Sequence, residues 1–153
     1  MKPIYLAAPV VGVSETRREQ IKAVAMAAAR SYGEYDFAGT VYMPWTLKVP
    51  NAWGMPMNEW ARCVFSFDVA ALDEASIVVV CDYGREATAG TAWEAGYAFA
   101  KGKTVIVVQM PEVNEVSLMV RNGCQLVVPY DKFVADDWSL PDYRCDGDGV
   151  VQN

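Results

Sequence analysis

The sequence predicts an α/β fold: a three-layer sandwich around a mainly parallel, five-stranded sheet of flavodoxin-like or Rossmann-like order. Short apolar runs rich in β-branched residues alternate with longer segments of helical period. The clearest run, residues 77–81, is continuous, as in a parallel strand covered by helices on both faces. After a glycine-bearing loop the period becomes helical over residues 91–100. We expect residues 1–153 to form a single domain, with an extended tail from about residue 141.

The first strand is predicted over residues 4–8, and the turn at its carboxyl end over residues 9–12. A helix should open at Ser14 or Glu15 and end at Gly33. This turn should border the ligand crevice, because ligands of open α/β sheets lie beyond the carboxyl ends of the strands.

A second strand is predicted over residues 40–43. The following loop, residues 44–57, is interrupted by prolines and contains Trp45 and Trp53. Such a loop is either a lid or pocket wall, or simply packing over the sheet edge, and the sequence favours neither.

The next helix should begin at Asn58. Asp68 lies beside its apolar stripe, where a carboxylate must be exposed, paired or functional. By position alone, a solvated helix residue is the simpler interpretation. The residues at core spacing in this helix are Trp60, Val64, Phe67, Ala71 and Ala75.

The central strand is followed by a helix that carries Trp93, Tyr97 and Ala100 on one face. A fourth strand is predicted over residues 104–108 and a fifth over 126–128, with a short apolar segment, 116–120, between them. A helical turn is expected at about residues 133–138.

Glu94 is the most informative residue of the central helix. The sequence places it in the first helical turn, just beyond a buried strand, where a ligand would bind. A capping box formed by Thr91 and Glu94 explains the same carboxylate without any chemistry. The two interpretations are compatible, since a helix N-terminus would also keep a catalytic carboxylate ionised.

Composition excludes several functions. The chain has no histidine and no Cys-x-x-Cys pair, so we expect free thiols and no metal site. We expect no flavin or other cofactor, because residues 10–13 are too apolar for a phosphate-cradling loop. The net charge of −6 argues against a nucleic-acid polymer as partner. With no signal-peptide pattern or membrane-spanning apolar run, we expect a cytoplasmic protein.

Three segments together resemble the nucleoside 2-deoxyribosyltransferase family. They are Ile-Tyr-Leu-Ala-Ala-Pro at residues 4–9, Asp68 with the Ala-Leu-Asp-Glu-Ala helix end after it, and Gly-Thr-Ala-Trp-Glu-Ala-Gly-Tyr-Ala at residues 90–98. The last segment is the most specific. The resemblance spans most of the chain and includes a related branch, the 2′-deoxynucleoside 5′-monophosphate N-glycosidases.

The resemblance implies that Glu94 is a nucleophile that attacks C1′ of a 2′-deoxyribosyl group while the nucleobase leaves, as in retaining glycosidases. It implies that Tyr5 positions or polarises Glu94, and that Asp68 orients the sugar or takes part in proton transfer. It also implies small-molecule nucleosides, nucleotides and nucleobases as partners, and a homo-oligomer with shared active sites. The substrate-binding residues carried over from the family are Ala8, Thr88, Gly90, Trp93, Ser117 and Met119.

Two positions depart from the typical transferase pattern. Thr88 replaces an aspartate that helps to hold the nucleoside, and Ser117 replaces an asparagine supplied by a neighbouring subunit. Hydroxyls at these positions resemble the phosphate-binding serines of the N-glycosidase branch. The tail, in contrast, resembles the transferase C-terminus. We therefore expect transfer of 2′-deoxyribose between nucleobases, with hydrolysis as a side reaction. The alternatives are a nucleotide hydrolase and a non-catalytic nucleotide-binding domain.

Overall fold

A computed structural model of the protein describes residues 2–34, 36–85 and 89–140. Its centre is a five-stranded, entirely parallel sheet of order β2-β1-β3-β4-β5. This is the predicted flavodoxin-like order, in which the strand order reverses beside β1. The strands are β1 (Ile4–Ala7), β2 (Val41–Tyr42), β3 (Ile77–Asp82), β4 (Thr104–Gln109) and β5 (Leu126–Pro129).

Six α-helices surround the sheet within the described ranges: α1 (Glu15–Ser31), α2 (Phe37–Thr40), α3 (Met57–Glu74), α4 (Ala89–Ala100), α5 (Leu118–Asn122) and α6 (Tyr130–Val134). Two 3-10 turns, Pro44–Thr46 and Ala52–Gly54, occupy the loop after β2. None of the helices in this part of the chain is both long and apolar enough to cross a membrane.

The alternation of strand side chains divides the core into two layers. Ile4 and Leu6 of β1 face α1 and α6, and the aliphatic face of α1 packs there. Tyr5 and Ala7 face the opposite layer, where Leu72 of α3 and Ala95 of α4 are buried. The strands are apolar on both faces because each face is covered by helices.

Most of the predicted elements are present with shifted ends. Ser14 is the N-cap of α1, its side chain accepting a hydrogen bond from the backbone N–H of Arg17. The one-turn helix α2 was not predicted. Within the apolar segment 116–120, residues 118–120 lie in α5, and the turn expected near residues 133–138 begins earlier, at Tyr130. The tail after residue 140 lies outside the described residues.

Two helix predictions were wrong in detail. The core stripe assigned to α3 is only partly buried: Trp60 and Phe67 are exposed, Val64 and Ala71 are half-buried, and Ala75 is buried at the end of the helix. The central helix α4 begins at Ala89, so Thr91 lies inside it and is not an N-cap. Glu94 therefore lies in the second turn, and the capping box is excluded.

Candidate active site

Two tyrosines on neighbouring strands form the floor of the candidate site. Tyr5 of β1 and Tyr42 of β2 are paired in register, so their side chains project from the same face of the sheet. Their rings are stacked, with centroids 5.3 Å apart and planes inclined by 20°. Tyr5 is completely buried, and its burial followed by the nearby Glu94 carboxylate holds the pKa of its hydroxyl well above the usual range.

Asp68 reaches this floor from α3. The Tyr42 hydroxyl donates a hydrogen bond of 2.8 Å to Asp68 Oδ1. Partial burial raises the pKa of Asp68, and the hydrogen bond from Tyr42 opposes that rise. The carboxylate is thus paired and half-buried, not a solvated helix residue.

Glu94 completes the cluster from α4. Its pKa is raised to about 7, chiefly by burial; the Tyr5 hydroxyl lowers it and the Asp68 charge raises it further. The effect of burial outweighs the others, because desolvation shifts a carboxyl group by several pKa units whereas a helix N-terminus acts only within the first turn. The expected effect of the helix N-terminus on Glu94 is therefore absent: the residue lies beyond the first turn, and burial raises its pKa.

The Tyr5 hydroxyl and Glu94 Oε2 are both buried without a hydrogen-bond partner of good geometry among the described residues. The two side chains are close enough for a hydrogen-bond interaction to contribute to both pKa shifts, but the geometry falls short of a well-formed bond. Leaving a buried polar atom unpaired costs roughly 1–3 kcal/mol, so such atoms are rare and call for an explanation. A ligand hydroxyl or a reacting atom that binds between them would supply one.

The cluster lies where an open α/β sheet binds its ligands. Tyr5 belongs to β1 and Glu94 follows β3, so the two residues flank the point at which the strand order reverses. Ala8, the residue after β1, is buried at the same edge. Gly90 is the second residue of α4, and an added Cβ there would meet no atom within 4 Å, so packing does not require glycine at this position.

The structure does not bring all of the predicted residues to the cluster. Trp93 projects outward and is stacked on Tyr97, with ring centroids 5.3 Å apart. Met119 is also exposed, at the start of α5. Thr88 lies outside the described residues.

Ser117 lines a neighbouring cavity of about 330 Å³ together with Asp82, Arg85 and Thr91. Asp82 Oδ1 accepts a 2.6 Å hydrogen bond from the backbone N–H of Gly84, which has a φ of +71°. This contact supports the turn after β3, and burial raises the pKa of Asp82 despite it.

A larger cavity, about 490 Å³, lies on the α1 side of the sheet and is lined by Pro9, Val10, Met43 and Trp45, among others. Trp45 is thus a pocket wall, one of the two interpretations of its loop, whereas Trp53 is fully exposed. None of Tyr5, Asp68 and Glu94 lines this cavity.

Tyr42 is the site residue that sequence reasoning missed. It falls within the predicted second strand and was treated as sheet. The sequence nevertheless contains a signal for it. Successive strand residues point to opposite faces, so if β2 pairs with β1, either Val41 or Tyr42 must share the face of Tyr5. Of the two, only tyrosine has a polar group that a site could use.

The fold and this cluster define a parallel α/β protein with two carboxyl groups and two tyrosine hydroxyls at the ligand-binding edge of its sheet. The chain belongs to the nucleoside 2-deoxyribosyltransferase family, whose sequence model matches residues 4–142. Membership supports an enzyme that acts on nucleosides, as a transferase or a glycosidase.

Solved structures agree with this fold. The chain is similar to a 2-deoxyribosyltransferase from Bacillus psychrosaccharolyticus, with 22% identity, a TM-score of 0.64, and coverage of 89% of this chain and 91% of the other. It is similar to a CMP N-glycosidase from Clostridium botulinum, with 17% identity, a TM-score of 0.56, and coverage of 87% and 94%. A conserved protein from Enterococcus faecalis has 18% identity, a TM-score of 0.57, and coverage of 88% and 96%. No curated protein sequence matches significantly.

The raised pKa of Glu94 predicts a pH-dependent effect of its replacement on stability. The folded state keeps the Glu94 proton from the ordinary pKa of 4.5 up to about 7, so wild-type stability falls across that interval relative to a neutral variant. We expect Glu94→Gln to be more stable than wild type at pH 8 by roughly 1–3 kcal/mol, with little difference at pH 4.

Urea denaturation of both proteins at pH 4, 6 and 8 measures this difference. Glu34→Gln, which removes a carboxylate from an exposed position after α1, controls for the change of net charge. A difference that does not grow with pH, or that grows equally in the control, would show that Glu94 is not a desolvated carboxyl group.

Proposed function

We propose that the protein transfers 2′-deoxyribose between nucleobases through a covalent glycosyl-Glu94 intermediate, with hydrolysis as a side reaction. The observation that carries the proposal is the buried Glu94 carboxylate, held beside Tyr5 and Asp68 at the switch point of a family-matched fold. The proposed partners are small-molecule nucleosides and nucleobases.

In the first step, a Glu94 carboxylate oxygen forms a bond to C1′ as the bond from C1′ to the base nitrogen breaks. The base leaves with the bonding electron pair and takes up the proton of Asp68, the carboxyl group that interacts with Glu94 and whose pKa is raised by burial. The transition state has oxocarbenium character, so the negative charge of Glu94 and the charge that develops on Asp68 as its proton leaves stabilise it.

In the second step, a nitrogen of the incoming base attacks C1′, its N–H proton returns to Asp68, and the bond to Glu94 breaks, which restores the carboxylate and retains the configuration. Water in place of the base gives hydrolysis. The Tyr5 hydroxyl, buried and unpaired, can donate to the Glu94 oxygen that departs from C1′.

The nucleophile assignment predicts that Glu94→Gln loses essentially all turnover while remaining folded, because the amide cannot form the glycosyl ester. A product assay with deoxynucleoside donors and free bases measures the loss. Incubation of wild type with a 2-fluoro-2-deoxyribosyl donor should label Glu94, as seen by peptide mass spectrometry. Retention of more than a few per cent of activity, or a label on another carboxylate, contradicts the assignment.

A nucleotide hydrolase is the second candidate function. The Ser117 hydroxyl shares its cavity with the Arg85 side chain, so a donor and a cation are available to an anion there. The similarity to a CMP N-glycosidase points the same way, although at this level of identity it shows only the fold. The buried Asp82 lines the same cavity and would repel a phosphate when ionised, which favours the transferase.

Substrate choice is tested by Thr88→Asp, which restores the aspartate typical of transferases. In a transferase this variant should preserve or improve the use of free nucleosides. In a nucleotide hydrolase it should impair monophosphate cleavage by 10-fold or more, since each charge-assisted hydrogen bond contributes roughly 1.5–3 kcal/mol. Assays of deoxynucleosides and their monophosphates, with and without acceptor base, separate the two. A wild type that prefers monophosphates and ignores acceptor bases overturns the transferase.

We also propose a homo-oligomer in which a neighbour completes each site. Phe65 of α3 and Trp93 of α4 are exposed and in ring contact, Trp93 is stacked on half-buried Tyr97, and Leu118 and Met119 of α5 are exposed nearby in the fold. Clustered exposed apolar side chains often mark a protein interface. A second copy of the chain is the proposed occupant, with Ser117 and Met119 reaching its pocket.

Shared sites predict complementation between two inactive variants. Glu94→Gln lacks the nucleophile, and Met119→Lys damages only the contribution to the neighbour. Mixed dimers contain one site with both residues intact, so an equal mixture should recover about a quarter of the wild-type sites. Activity measurements before and after mixing, with sedimentation to establish the oligomeric state, test this. A fully active monomer, or no recovery in mixed dimers, defeats the proposal.

Catalytic turnover of any deoxynucleoside also decides against the third alternative, a non-catalytic nucleotide-binding domain. Such a domain would bind nucleosides without consuming them, and Glu94→Gln would change its affinity but no rate.

A further inference from the structure

Tyr42 makes the one hydrogen bond that Asp68 has within the described ranges. Its hydroxyl lies 2.8 Å from Asp68 Oδ1, and its ring is stacked on Tyr5. The bond occupies one carboxylate oxygen and leaves Oδ2 available to a ligand. Because Asp68 projects from a helix and Tyr42 from a strand, this contact fixes the carboxylate relative to the sheet that carries Tyr5.

We propose that Tyr42 is a positioning residue for the reaction: its hydroxyl holds Asp68 in the orientation in which that carboxylate acts on the substrate beside Glu94. This inference rests on the proposed function and deepens it. Tyr42 itself does not touch the reacting atoms, and its effect passes through Asp68.

The ring of Tyr42 and its hydroxyl have separable roles. The ring is packed against buried Tyr5, so its place is set by stacking and by the register of β1 with β2. Once the ring is fixed, the hydroxyl has a fixed position, and a fixed donor selects one rotamer of a short carboxylate side chain. A phenylalanine would keep the ring contact and lose only this selection.

The groups that interact electrostatically with Asp68 come from three elements: Tyr42 from β2, Tyr5 from β1 and Glu94 from α4. The Tyr42 hydrogen bond lowers the pKa of Asp68, against the larger effect of burial. Removal of the hydroxyl should therefore raise the pKa of Asp68 further.

A purely structural role is the competing explanation. Only Leu72 of α3 is fully buried, so the Tyr42 bond to Asp68 also ties this helix to the sheet. If that tie were the whole function, loss of the hydroxyl would lower stability, and any loss of activity would follow from loosening of α3 whether or not Asp68 carries a carboxylate.

The test compares Tyr42→Phe with Tyr83→Phe. Tyr83 is buried on the α1 face, and its hydroxyl donates a 2.9 Å hydrogen bond to Gln20 Oε1, so the control loses a bond of similar length outside the cluster. We expect kcat/KM to fall roughly 10- to 100-fold in Tyr42→Phe, the factor that accompanies loss of a hydrogen bond to a charged group, and to stay within twofold in the control.

A double-mutant cycle shows whether the effect passes through Asp68. In an Asp68→Asn background, where the amide oxygen can still accept the Tyr42 hydrogen bond but no carboxylate is present, Tyr42→Phe should cause no further loss, measured by single turnover with enzyme in excess. A further loss in that background as large as in wild type would mean that Tyr42 acts by supporting the fold, and would overturn the proposal.

A measurement that does not use activity separates this proposal from the proposed function. Carboxyl ¹³C NMR of labelled aspartate, with Asp68→Asn for assignment, should show a higher Asp68 pKa in Tyr42→Phe than in wild type. If Glu94→Gln is inactive but Tyr42→Phe has wild-type kcat/KM, the positioning role fails alone. If Glu94→Gln stays active, the proposed function fails. If the Asp68 pKa is the same in Tyr42→Phe as in wild type, the Tyr42–Asp68 hydrogen bond has no influence on Asp68, and the positioning role fails as well.

Discussion

Burial of the Glu94 carboxyl group is the constraint on which the rest of the site depends. Desolvation raises its pKa to about 7, so near neutral pH the group is divided between its acid and its carboxylate. A more basic carboxylate is a stronger nucleophile. Partial ionisation, however, lowers the fraction of molecules in which Glu94 is a carboxylate. Tyr5 and Asp68 shift the ionisation of Glu94 in opposite directions. The Tyr5 hydroxyl lowers the pKa of Glu94, and the negative charge of Asp68 raises it.

The sheet assembles this balance from distant parts of the chain. Tyr5 and Tyr42 meet because β1 pairs with β2 in parallel register, and Glu94 joins them because β3 pairs with β1 on its other side. A shift of one residue in either pairing would turn a tyrosine into the α1 layer. The aliphatic strand residues that exclude water from both faces therefore also fix the geometry of the polar cluster.

The sequence was sufficient for the strand order and for the association of Tyr5, Asp68 and Glu94, because apolar runs and a family-specific motif carry those signals. The sequence did not predict the features that depend on tertiary contacts. Trp60 and Phe67 have helical core spacing, but periodicity identifies an apolar face without saying whether this chain or another covers it. Tyr42 looked like an ordinary strand residue, since its importance arises from a hydrogen bond to a residue 26 positions away.

The chemistry and the choice of substrate are set by different parts of the molecule. In the proposed mechanism, the cluster of two carboxyl groups and two tyrosines would form a glycosyl ester that either a base or water can discharge, because both acceptors attack C1′ from the face opposite its bond to Glu94. In the proposed arrangement, residues outside this cluster would select the acceptor, and Ser117 and the exposed residues of α5 are the candidates. A neighbouring subunit seated there would exclude water and hold an aromatic base. Oligomerisation would then decide between transfer and hydrolysis, while the nucleophile stays the same in both reactions.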